Sequence, residues 1–88
     1  MKSLKEMENE IVSNMQKIIK EQHQENYQEV TFTGFHEQTF TFITRDEDTG
    51  EKAVFYLHPY NFAISVRCEY TKEIELLIGF MGERGELI

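Results

Sequence analysis

Residues 3–24 read SLKEMENEIVSNMQKIIKEQHQ, and the spacing of the apolar positions in that run decides the fold. Leu4, Met7, Ile11, Met15 and Ile18 recur at intervals of three and four, which places them on one side of a 3.6-residue helix. Val12 and Ile19 widen the stripe to the arc of a helix lying on a core. A free coiled coil is the competing reading, but the stripe is too broad and the run holds at most about three heptads. Ser3 followed three residues later by Glu6 reads as a capping box. Glu6, Glu8 and Glu10 lie towards the N-terminal half and Lys17 and Lys20 towards the C-terminal half, which complements the helix dipole. The polar pair Glu25-Asn26 then reads as the stop. A lone helix of this length is marginal in water, so it must dock on something.

The rest of the chain supplies a sheet. From Val30 the apolar period changes to two, and strands are expected over about residues 29–35, 39–45, 52–58, 62–70 and 74–80. Gly34 closes the first strand and His36-Glu37-Gln38 connects it to the second. Arg45 to Glu51 is a charged turn in which Gly50 takes a positive φ. Ala53 to Leu57 is apolar at every position, as for a strand covered on both faces. His58-Pro59-Tyr60-Asn61 forms the next turn, because proline lacks the N–H a ladder needs. Residues 74–81 fit either a helix face or a strand; the two isoleucines and Gly79 favour the strand. Gly82 to Ile88 reads as a turn and a short edge piece. Short connections favour pairing in chain order. The expected fold is α+β, a single domain over residues 1–88, with the helix (about 3–24) on a four- or five-stranded antiparallel meander in a two-layer sandwich.

The pattern assigns Val30, Phe32, Phe40, Phe42, Ile64 and Val66 to the face under the helix. Thr31, Thr33, Phe35, Thr39, Thr41, Ile43 and one set from residues 53–57 go to the other. That second face is too rich in Phe, Ile and Leu for an indifferent solvated surface, which points to a homodimer or partner interface.

Sixteen acidic against nine basic residues give a net charge of −7, which argues against direct binding of nucleic acid or an anionic membrane. The acid excess is concentrated in the sheet region rather than in a tail. One cysteine permits no internal disulfide and suits a reducing cytosol, so a cytoplasmic location is expected. No apolar run has transmembrane length, and the N-terminus is too polar for a signal peptide.

Motifs that suggest chemistry fail on their surroundings. His23, His36 and His58 stand at no metal-ligand spacing. Asp48-Thr49-Gly50 matches the triplet bearing the aspartic-protease carboxylate, yet it has charged flanks and a hairpin setting. The same stretch is no EF-hand, because the twelfth loop position would be Leu57. Gly82-Glu83-Arg84-Gly85 has the G-x-x-G form of a nucleic-acid clamp without its basic surroundings or flanking helices. Cys68 falls in regular strand alternation and reads as a buried small hydrophobe rather than a nucleophile paired with His36 or His58. Tyr56, Tyr60, Tyr70 and Phe62 around the third turn form a candidate aromatic patch, of residues that are as often core as hot spot. No catalytic residue, metal or cofactor is expected.

The expected function is therefore a small acidic non-catalytic protein-binding module, an inhibitor or immunity-type protein acting on a basic or nucleic-acid-handling partner. Asp46, Glu47, Asp48 and Glu51 would steer the partner, and Phe35, Ile43, Phe55 and Tyr60 would supply apolar contact. The alternatives are a homodimeric structural or chaperone-like protein using the second sheet face, and a small-ligand domain with a pocket between helix and sheet.

Overall fold

A computed structural model of the chain describes residues 3–22, 29–46 and 48–88. Helix α1 spans Leu4–Gln22 and starts where the cap predicts, with the Glu6 N–H donating to Ser3 Oγ at 3.1 Å. The expected extension to Gln24 and the stop at Glu25-Asn26 lie outside the described residues. Strands β1 (Val30–His36), β2 (Thr39–Arg45), β3 (Lys52–His58), β4 (Ala63–Cys68) and β5 (Leu76–Phe80) follow. They form one sheet in the order β1-β2-β3-β4-β5, antiparallel at every junction. The meander is the arrangement that short connections permit, and the ambiguous segment near residue 76 is a strand.

The helix roofs one face. Met15, Ile18 and Ile19 are buried with Phe42, Phe55, Leu57 and Ile64 in the core. Gln16 Nε2 donates to the Val30 carbonyl at 3.1 Å and fastens the helix to β1. Buried Thr44 is satisfied by donating to the Glu29 carbonyl at 2.6 Å, as a hydroxyl in a core must be. A helix of 19 residues is about 28 Å long at 1.5 Å per residue, whereas six- or seven-residue strands span about 20–23 Å. The roof therefore overhangs its floor, and Met7, on the same stripe as Met15, is 47% exposed.

Two face assignments made from the sequence are corrected. Phe35 was placed on the second face, but the register slips between Phe32 and Gly34. One extra residue reverses the alternation, so Phe35 pairs with Phe40 and their ring centroids lie 5.0 Å apart. Phe55 was to be an exposed contact; it pairs with Phe42 and Val66 on the helix face and is fully buried. Strand β3 is buried on the helix face at Ala53, Phe55 and Leu57 and on the second face at Val54, with Tyr56 half-buried there. It reads apolar throughout because it is the central strand, with Val54 on the second face shielded between its register neighbours Ile43 and Arg67.

Two boundaries also move. Gly34, with φ 127°, lies inside β1 rather than at its end. The fourth strand stops at Cys68, and Glu69–Thr71 forms a 3-10 turn. After β5 the chain doubles back: Phe80 and Ile88 exchange N–H···O bonds of 3.1 and 2.8 Å, and the Gly82 N–H donates to the Glu86 carbonyl at 2.7 Å.

Candidate functional site: the acidic end of the sheet

The loop between β2 and β3 is held by its own side chains. Asp46 Oδ1 accepts the N–H groups of Asp48 (2.8 Å) and Thr49 (3.1 Å), the arrangement that makes Asp a turn former. The Gly50 N–H donates to the Asp46 carbonyl at 2.8 Å, and Gly50 takes the positive φ of 75° that the turn requires. Thr49 Oγ1 accepts the Glu51 N–H at 3.2 Å, and Arg45 Nη1 donates to the Gly50 carbonyl at 3.0 Å.

The same loop anchors the next connection at this end. Glu51 Oε1 accepts the Tyr70 N–H at 3.0 Å. Thr71 Oγ1 accepts the Cys68 N–H at 3.0 Å and donates to the Cys68 carbonyl at 2.8 Å. These bonds end β4 and swing Tyr70 outward, where it is 89% exposed. Exposed carboxylates at this end come from Glu29, Asp48 and Glu69, with Arg45, Lys52 and Lys72 as the nearby bases. Beside the loop lies an open cleft of about 480 Å³ lined by Glu29, Thr31, Ile43 and Asp46.

The expected site residues are therefore divided. Asp46, Asp48 and Glu51 share the acidic end, and Glu47 lies outside the described residues. Asp46 spends a carboxylate oxygen on the loop itself and Glu51 one on the next connection, which leaves Asp48 the freer of the three. Ile43 reaches the second face near the cleft. Phe35 and Phe55 lie on the helix face. Tyr60 is 78% exposed but stands in the β3–β4 turn at the opposite end of the sheet, about 20 Å away by strand length. Glu29 and Glu69 were not singled out from the sequence, which groups Tyr70 with Tyr56, Tyr60 and Phe62 as aromatic residues around the third turn. Tyr70 instead lies in the 3-10 turn after β4, at the other end of the sheet. Tyr70 reads as the next inward position after Cys68, and the one signal against that is Thr71, whose hydroxyl can close a turn on the residue three before it.

Two further clusters bear on the alternatives. His58 Nε2 lies 3.4 Å from Ser65 Oγ and 3.8 Å from Glu75 Oε1. A hydrolase triad sets its base between nucleophile and carboxylate on opposite ring nitrogens; here both partners approach one nitrogen. Cys68 is buried on the helix face, paired with Ala53, whereas His58 and His36 belong to the other face, paired with Ala63 and Thr39. The sheet separates the thiol from both imidazoles. Among the described residues, no three His, Cys, Asp or Glu side chains converge as metal ligands.

A pocket between helix and sheet was the third expectation. The nearest feature is a groove of about 340 Å³ between the overhanging half of α1 and the C-terminal tail, lined by Met7, Ile11, Phe62 and Met81. It is open, with Glu10 and Glu83 among its lining residues, and lies at the sheet's end rather than beneath the helix.

The chain matches no protein-family model, no curated protein and no solved structure. No helix is long and apolar enough to cross a membrane among the described residues.

Proposed function

We propose that the chain is a small, acidic, non-catalytic protein-binding module that engages a basic partner, in the manner of an inhibitor or immunity-type protein directed at an enzyme that handles nucleic acid. The observation that carries this reading is Tyr70, a large amphipathic ring held out in solvent at an end rich in carboxylates. Tyrosine is among the side chains that dominate interface energetics. Its ring face can take an arginine guanidinium while Asp48, Glu69 and Glu29 draw the charge. The hydrogen-bonded loop beneath it is organised before the partner arrives, which lowers the ordering cost of binding. The single cysteine fits a cytoplasmic setting.

The experiment is retention of host proteins on the immobilised chain, elution by a salt step, identification by mass spectrometry, and titration of the purified partner. Tyr70→Ser is expected to weaken that partner by tenfold or more, since hot-spot truncation costs about 2 kcal/mol or above. Affinity should also fall as salt rises. A partner bound equally tightly by Tyr70→Ser, with no response to salt, overturns the proposal.

A further inference from the structure

Both edges of the sheet carry a register slip and a glycine at positive φ, and they differ in where these fall and in their side chains. Edge strand β1 carries a register slip, Gly34 at positive φ, and alternating threonines. Bulges and polar residues of this kind discourage another strand from adding. Edge strand β5 reads LLIGF, with no charge, no proline and no polar side chain. Its own slip and positive-φ glycine fall at Ile78 and Gly79 (φ 156°), next to the tail-paired Phe80, so that Ile74 to Leu77 precede them. Its aliphatic side chains are exposed on both faces of the sheet, Leu76 at 47% beside Val66 and Leu77 at 61% beside Ser65, and Ile74 just before the strand is 60% exposed.

The C-terminal tail closes part of this edge through its two bonds between Ile88 and Phe80. The stretch Ile74 to Ile78 receives no such cover from the tail. The acids at its start, Glu73 just before it and Glu75 within it, are drawn back over their own sheet. Glu73 Oε2 lies 3.8 Å from Arg67 Nε, and Glu75 Oε1 lies 3.8 Å from His58 Nε2. The edge thus offers backbone and aliphatic side chains, with its carboxylates turned towards Arg67 and the His58 ring of the same molecule.

We propose that two copies of this chain pair edge to edge, antiparallel, through Ile74–Ile78, joining two five-stranded sheets into one. A two-fold axis at Leu76 sets Leu76 against its own copy, Ile74 against Ile78, and Glu75 against Leu77. No like charges meet in that register, which matters for a chain of net charge −7. An apolar strand is the complement this edge asks for, and β5 is itself such a strand. The second sheet face suits self-association less well, since it carries Arg45, Lys52 and Arg67, as their pairing partners place them, and two copies would oppose bases to bases. Edge pairing also leaves both acidic ends accessible, pointing in opposite directions.

The test is sedimentation of the full chain across a concentration series, beside Leu76→Lys and a control, Thr31→Lys, on the opposite edge. The expected result is a dimer for the parent and the control, and a monomer for Leu76→Lys with unchanged far-ultraviolet circular dichroism. In a Cys68→Ala background, Leu76→Cys should form an intermolecular disulfide on mild oxidation, because the axis brings the two thiols together, whereas Thr31→Cys should not. The disulfide pair decides the matter if Leu76→Lys fails to fold. A parent that stays monomeric at the highest concentration overturns the proposal. So does a dimer indifferent to Leu76→Lys, or one that cross-links as readily through Thr31→Cys. Partner binding at Tyr70 is read separately, so either proposal can fail alone.

Discussion

Glu37 and Gln38 occupy the two-residue connection between β1 and β2 with φ of 51° and 65°. That is the mirror-image turn whose twist suits a hairpin, and Asn-Gly adopts it with far less strain than two long side chains. Replacing the pair by Asn-Gly is expected to stabilise the protein by about 1 kcal/mol, read as a higher urea midpoint at unchanged m-value. Gly85 shows the opposite constraint. It has φ 78°, and a Cβ there would strike the side chain of Asn14 on α1. Gly85→Ala should cost about 1–3 kcal/mol. Adding Asn14→Ala should recover the part due to the clash and leave the part due to φ. Equal stability of Gly85→Ala and the parent, by the same urea titration, would show that the tail does not seat on the helix this way.

At the scale of elements, the mismatch between a long helix and shorter strands makes one amphipathic stripe behave in two ways. Met15→Ala removes a fully buried side chain and should cost about 2–5 kcal/mol. Met7→Ala, on the overhang, should cost less than about 1 kcal/mol. Comparable losses in thermal unfolding would mean that the stripe is buried along its whole length. The helix and the buried Cys68 were legible because each rests on a period of several residues; the meander rested only on short connections, which left open the choice between four and five strands and did not fix their order. Phe35 was misplaced because one inserted residue reverses a two-residue alternation, and the residues around Thr33 carry no mark of the insertion beyond Gly34. Phe55 was misplaced because an apolar run offers no alternation to choose a face from. Tyr70 was misplaced for a third reason: the side chain of Thr71 ends the strand at Cys68, and alternation patterns are blind to hydrogen bonds.

For the molecule as a whole, the charge and the apolar surface are segregated. The carboxylates of Glu29, Asp46, Asp48, Glu51 and Glu69 gather with Tyr70 where β2 turns into β3 and β4 into β5, while the uncovered aliphatic side chains follow the β5 edge. A partner steered by charge and a second copy held by aliphatic contact would therefore use separate surfaces. The central claim is that the acidic end receives a cationic partner, and amide chemical-shift mapping during titration with an arginine-rich peptide tests it most directly. The account predicts shifts concentrated in Asp46–Lys52 and Glu69–Thr71, weakened by added salt and much reduced in Tyr70→Ser. Shifts spread evenly over the other acids, at Glu10, Glu83 and Glu86 as much as at Asp48, would contradict it.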